Sequence, residues 1–209
     1  DLAFNVIISG VIGARLYHVI IHWPDYSHNL IDIVKIWEGG LAIHGAIIGG
    51  GLALLLTCHK RHWPTWQVAS WLTPSLALGQ AIGRWGNFFN QELFGPPTNR
   101  PWGVPIDVVY RPIEYSAATH FHPLFLYESI ACSLLALILY YLNRHTIKAQ
   151  YIVATYLIGY GLIRFVIEFW RQDPTLYLLG WRWPQWISCF MILGGLWLII
   201  YPLILRQKH

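Results

Sequence analysis

Charge is scarce in this chain. Only 11% of its 209 residues are Asp, Glu, Lys or Arg, against roughly 25% in an ordinary soluble domain, and that excludes such a domain. Cysteine is scarce as well. Cys58, Cys132 and Cys189 lie in or at the ends of apolar stretches, with no Cys-x-x-Cys and no histidine spacing suited to zinc. Neither a disulfide framework nor a metal site is expected, and each cysteine reads as a buried structural thiol. No Gly-x-Ser motif and no pair of intramembrane aspartates occurs, so an intramembrane protease has nothing to work with. No internal repeat is evident, which withholds support from an inverted-repeat transporter. The chain opens at Asp1 without an initiator Met, a basic stretch or a small-residue cleavage site. It does not begin like a signal peptide, and a natural start upstream is expected.

What is abundant is apolar. The composition is 56% hydrophobic with 12 Trp and 12 Tyr, and the mean hydropathy is +0.44. Such a chain buries too much surface to be disordered. The formal charge of +4 comes from basic residues scattered between apolar runs, so it reads as membrane topology rather than nucleic-acid binding. About 20 apolar residues cross a bilayer as a helix, and six segments qualify, at about 2–21, 39–58, 66–89, 123–142, 151–170 and 186–205. The third is the least apolar and contains Pro74. The expected fold is therefore all-α: a polytopic transmembrane helical bundle forming a single domain over 1–209. The long connection at 90–122, rich in proline, is expected to be an irregular extracytoplasmic loop subdomain with short strands at most, as at Val108-Val109-Tyr110.

Orientation follows from basic residues at span ends. Lys60 and Arg61, Arg144 and Lys148, and Arg206 and Lys208 follow the second, fourth and sixth spans, which assigns that side, with Asp1 and His209, to the cytoplasm. Trp23, Trp63, Trp66, Trp181, Trp183 and Trp186 read as interfacial anchors.

Ionisable side chains are expensive in hydrocarbon, so those that remain are candidates for function. The densest group is Gly83-Arg84-Trp85-Gly86-Asn87-Phe88-Phe89-Asn90-Gln91-Glu92-Leu93-Phe94-Gly95. If helix continues through it, Arg84, Asn87 and Gln91 share a face, while Gly83 and Gly86 admit a close neighbour. That face offers a guanidinium fork and amides to a phosphate; a helix end whose arginine snorkels to the interface reads equally from the same residues. Tyr160, Arg164 and Glu168 recur every fourth residue and stack on one helix face, either as a self-neutralising pair or as part of an anion site. Two guanidiniums, Arg84 and Arg164, favour an anionic guest. His44 lies among Gly39, Gly40, Gly45, Gly49, Gly50 and Gly51, a setting with room for a ligand, and a histidine suits proton transfer near neutrality. It reads otherwise as an interhelical donor. Glu128, in His122-Pro123-Leu124-Phe125-Leu126-Tyr127-Glu128, reads as a structural tie to an arginine elsewhere, with Arg15 the expected partner.

These residues together resemble a known family. The run Gly83-Arg84-x-Gly86-Asn87-Phe88-x-Asn90-x-Glu92-x-x-Gly95 is similar to the hallmark motif of prolipoprotein diacylglyceryl transferases. Gly13-Ala14-Arg15, Gly39-Gly40 through His44-Gly45, His122-Pro123-x-x-Leu126-Tyr127-Glu128 and Tyr160-Gly161-x-x-Arg164-x-x-x-Glu168-x-x-Arg171 match in the family's order. The resemblance implies about seven spans, of which the first is absent here, in a bacterial inner membrane with the active site toward the extracytoplasmic side. It implies transfer of diacylglyceryl from phosphatidylglycerol to the lipobox cysteine of a preprolipoprotein signal peptide, with glycerol 1-phosphate released and no cofactor or metal. On that footing Arg84 and Arg164 bind and stabilise the phosphate. Asn87, Asn90 and Glu92 orient the glycerol and the Arg84 guanidinium, Tyr160 adds to the substrate site, and Gly95 allows a tight exit turn. His44, or else Glu168, takes the thiol proton. The competing class is a transporter or channel for a small anion, which also buries Arg with Glu.

Overall fold

The computed structural model describes residues 1–172 and 175–206. They form two compact units, residues 1–68 and the described residues from 69 onward.

In the first unit, α1 (Leu2–Ile21) leads through a short α2 (Trp23–Tyr26) and two 3-10 turns, Leu30–Val34 and Ile36–Glu38, to α3 (Ile43–Arg61). Glycine lets α1 and α3 approach closely. A Cβ added at Gly45 would stand 2.1 Å from the Gly13 carbonyl oxygen, and one at Gly49 would stand 2.2 Å from that of Ser9. Small residues four apart on both helices thus bring the two backbones together, the packing that membrane helices use in place of a hydrophobic drive. Of the glycines around His44, Gly45 and Gly49 serve this crossing.

The connection between these helices is held by Arg15. Its Nε donates to the Ile33 carbonyl at 2.8 Å, and its Nη1 to those of Gly39 at 2.6 Å and Gly40 at 3.0 Å. Nη2 donates to the carbonyls of Asp32 and Lys35. The expected ion pair of Arg15 with Glu128 is therefore corrected: carbonyls of the 32–40 segment occupy this guanidinium. Short-range turns leave such carbonyls without helical partners, and a five-donor fork collects several at once. Lys35 closes the other side of the segment on Asp32 at 2.5 Å, with Glu38 at 3.8 Å. The hydrogen bond to Asp32 holds its ammonium above the usual lysine range.

The second unit contains most of α4 (Thr65–Phe89), then α5 (Leu124–Asn143), α6 (Ala149–Glu168) and α7 (Trp183–Arg206). Two small antiparallel hairpins join them: β1 (Val104–Pro105) with β2 (His120–Phe121), and β3 (Tyr177–Leu178) with β4 (Trp181–Arg182). Ala77, Leu135, Ala136, Leu139 and Ile152 form the buried core between helices. Polar side chains reach across to backbone carbonyls: Ser129 Oγ donates to that of Ala81 at 2.8 Å, and Asn143 Nδ2 to that of Ser70 at 2.9 Å. The α6–α7 contact again runs over glycine, since a Cβ at Gly161 or Gly195 would meet the carbonyl of Ser188 at 3.0 Å or of Ala154 at 2.9 Å.

Among the described residues, α1, α3, α5, α6 and α7 are long and apolar enough to cross a membrane. With 25 residues, α4 is about 37 Å long, enough to cross by length, but Gln67, Ser70, Thr73, Gln80, Arg84 and Asn87 make it more polar. The chain is an all-α, multi-pass membrane protein.

The connection at 90–122 is built on Phe94, Ile106 and Phe121. Its strands are β1 and β2; Val108–Tyr110, expected as extended, is a 3-10 turn. Asp107 explains the difference, because its carbonyl accepts from the Tyr110 N–H at 3.0 Å and starts a turn instead.

Candidate active site

Glu128 is buried to 0% exposure in the first turns of α5. One of its oxygens accepts from Arg164 Nη1 of α6 at 3.0 Å, and the other lies 3.2 Å from Arg84 Nε of α4. Glu128 thus ties together two arginines from different helices, and these are its partners in place of the expected Arg15. Apolar helix faces bring α4, α5 and α6 into contact, and a carboxylate between two guanidiniums is what makes burial of all three tolerable.

The network continues along α6. Arg164 Nη2 donates to Glu168 Oε2 at 3.1 Å, as the spacing of four residues predicts. The same oxygen lies 3.3 Å from Arg171 Nη1, and Glu168 Oε1 accepts from Arg182 Nε at 2.8 Å. Both oxygens of this buried carboxylate are therefore engaged by guanidiniums. Tyr160, one turn before Arg164, stacks its ring on Tyr156 with centroids 6.0 Å apart.

Arg84 is the loosely held end of the chain. Its side chain is 22% exposed, against 13% for Arg164. Its Nε and Glu128 Oε1 are both buried and face each other without a directed hydrogen bond. Nη1 reaches Asn87 Oδ1 only at 3.5 Å, and among the described residues Nη2 has no partner. Asn87 Nδ2 in turn donates to Glu92 Oε2 at 3.3 Å. A Cβ added at Gly83 or Gly86 would meet no atom within 4 Å, so the backbone at these two glycines is open. An incompletely committed guanidinium beside open backbone is suited to an anion.

α4 ends where the expected third span does, at Phe89, so helix does not continue through the rest of the motif. Gln91 takes a left-handed φ of 53°. The Gln91 N–H donates to the Phe88 carbonyl at 3.2 Å and the Glu92 N–H to that of Asn87 at 2.8 Å, the reciprocal pattern of a Schellman end. Gln91 consequently leaves the Arg84–Asn87 face. Its Nε2 donates to Asp107 Oδ2 and its Oε1 accepts from the Asp107 N–H, each at 2.7 Å, which pins the loop to the helix end. Asn90 is exposed beside this turn. Gly95 does not carry the exit turn, since the positive φ of 56° belongs to Leu93. Glycine is needed at 95 for closeness, because an added Cβ would lie 3.1 Å from His122 Cβ and 3.2 Å from Leu124. Tyr127, next to Glu128, binds away from the arginines, with its hydroxyl 2.9 Å from His122 Nδ1 and 2.8 Å from Trp102 Nε1, which donates to it.

His44 lies in the first unit, in the opening turn of α3, exposed and with its ring 5.7 Å from that of Tyr17. Arg182 is the residue that sequence reasoning passed over. A lone arginine in a connection between spans carries no periodic signal, and only its place at the start of α7 brings it to Glu168.

A family model described as prolipoprotein diacylglyceryl transferase matches residues 1–201. The phosphatidylglycerol–prolipoprotein diacylglyceryl transferase of Synechococcus elongatus is 46% identical over 208 residues, covering 95% of this chain and 72% of its own length. The protein of the same name from Synechocystis sp. is 44% identical over 215 residues, covering 100% and 75%. That from Parasynechococcus marenigrum is 46% identical over 210 residues, covering 94% and 76%. With likeness of this extent along almost the whole sequence, the chain belongs to the prolipoprotein diacylglyceryl transferase family.

Proposed function

We propose that this protein transfers the diacylglyceryl group of phosphatidylglycerol to the lipobox cysteine of a preprolipoprotein, and that Arg84 and Arg164 hold the phosphate. The observation that carries the reading is the Arg84 guanidinium, buried enough to be strong, joined to Arg164 through one shared carboxylate, and still short of partners. The names of the curated relatives support the two substrates.

In the reaction the substrate thiolate attacks the glycerol carbon that bears the phosphate. A carbon–sulfur bond forms, the carbon–oxygen bond to phosphate breaks, and glycerol 1-phosphate leaves with the bonding electrons as added charge on its oxygen. Guanidiniums placed where that charge develops stabilise the transition state more than the ground state. Asn87 and Glu92 steady Arg84, and Asn90, Tyr160 and Gly95 complete the substrate region. The thiol, with a usual pKa of about 8.5, gives its proton to a base. His44 fits this role better than Glu168, whose two oxygens are engaged by Arg164, Arg171 and Arg182. The reaction is placed on the extracytoplasmic side of a bacterial inner membrane, with residues 90–122 over the site and the C-terminus in the cytoplasm. The basic residues at the C-terminal ends of the second, fourth and sixth expected spans support that orientation.

Purified protein mixed with phosphatidylglycerol vesicles and a lipobox peptide should add one diacylglyceryl mass to the peptide. Arg84→Ala should lower turnover at least a hundredfold, the effect of removing about 2.7–4 kcal/mol of charge stabilisation. No mass gain with folded wild-type protein would overturn the reading and make anion flux in liposomes the next measurement. In the same assay His44→Gln should lose most of its turnover. Retention by His44→Gln, with loss in Glu168→Gln, would reverse the assignment of the base.

A further inference from the structure

We propose that Arg182 is a positioning residue for the transfer reaction: it holds Glu168 so that Arg164 keeps donors available for the substrate phosphate. The inference rests on the transferase reading above.

Arg182 is fixed from several directions. It is the last residue of β4, paired with Tyr177, and it immediately precedes α7, which begins at Trp183. Its backbone N–H donates to Gln185 Oε1 at 3.0 Å. This is the reach-back of a glutamine in the third helical position to the residue that caps the helix. Pro184 at the second position suits the same first turn. The side chain is 10% exposed; its Nε donates to Glu168 Oε1 at 2.8 Å and its Nη1 to the Arg171 carbonyl at 3.1 Å.

The consequence falls on Arg164. A carboxylate four residues along the same helix is a natural bidentate partner for a guanidinium, two parallel N–H donors meeting two oxygens. Closure of that fork would take the donors that an anion needs. Here Oε1 is held by Arg182 and Oε2 is shared with Arg171, so Glu168 accepts from Arg164 through Nη2 alone. Arg164 Nη1 goes to Glu128. Arg182 thereby sets both the direction of Glu168 and the amount of Arg164 left for phosphate, without contacting substrate. No covalent step is involved.

The test is steady-state kinetics on the full chain in phosphatidylglycerol vesicles with a lipobox peptide. Arg182→Gln should raise the KM for phosphatidylglycerol about tenfold while the KM for the peptide stays within twofold. Arg182→Lys, which returns a cation to Glu168 Oε1, should recover to within threefold of wild type. A loss of folded protein alone lowers kcat and moves neither KM. Gln185→Ala, which unties the Arg182 backbone without touching Glu168, should shift the same KM by about threefold and serves if Arg182→Gln does not fold. An unchanged KM for phosphatidylglycerol in the folded variants overturns this role for Arg182, as does a Lys variant as defective as the Gln one. Wild-type protein that transfers nothing overturns the transferase reading itself.

Discussion

Glu128→Ala is expected to destabilise the protein by about 3–5 kcal/mol, the cost of removing one partner of a buried ion pair and leaving charge uncompensated, and to abolish transfer. The carboxylate has 0% exposure and stands between Arg84 at 3.2 Å and Arg164 at 3.0 Å. Without it two guanidiniums from α4 and α6 face each other in a region of low dielectric, where like charges repel far more strongly than in water. The helices can relieve that only by moving apart or admitting water. Either movement would spread the phosphate-binding pair. Thermal unfolding in detergent should show the midpoint lowered by more than about 6 °C. Glu128→Gln keeps the shape and one acceptor oxygen, so its midpoint should fall between those of wild type and Glu128→Ala. An unchanged midpoint in Glu128→Ala would mean that the carboxylate does not hold the helices together.

Gly45→Val should be the most damaging single change in the first unit. Its Cβ would stand 2.1 Å from the Gly13 carbonyl oxygen and 2.5 Å from Tyr17 Cβ, and the first of these is backbone that cannot swing aside. Overpacking commonly costs about 1–3 kcal/mol and occasionally more; a clash of backbone with backbone-attached carbon belongs at the upper end or beyond. The α1–α3 crossing would have to open, displacing His44 at the adjacent position. Turnover and thermal midpoint should therefore fall together. Gly51→Ala is the control: nothing lies within 4 Å of its added Cβ, and alanine is favoured over glycine inside a helix by about 0.8–1.0 kcal/mol. It should match or slightly exceed wild type in stability. If both variants behaved like wild type, close approach at Gly45 would not describe this crossing.

The helices were readable because hydrocarbon imposes a strong one-dimensional rule. A spanning segment must satisfy its own backbone hydrogen bonds, so length and apolarity locate it within a few residues. The expected span at 39–58 is the helix Ile43–Arg61, and that at 151–170 is Ala149–Glu168. The spacing of Arg164 and Glu168 was readable for the same reason, since four residues on a helix are neighbours whatever surrounds them. The end of α4 at Phe89 was readable in the same way. Where Gln91 goes after it was not, because its partner Asp107 lies 16 residues away. Gly95 likewise reads locally as a turn residue, but what makes glycine necessary there is the approach of His122 and Leu124.

The sequence by itself determined the all-α membrane architecture, the family, and the set of arginines and carboxylates from which a site could be made. Each follows from composition, from period or from a local motif. Only tertiary structure decided which charges meet. Arg15, reading like a partner for Glu128, is taken by carbonyls of its own connecting segment. Glu128 instead joins Arg84 to Arg164, and Arg182 arrives from the hairpin before α7 to complete the environment of Glu168. The physical reason is that an ion pair depends on separation in space, through an energy that falls with distance and rises as water is excluded. Neither quantity is written in the spacing of residues along the chain once they lie on different helices.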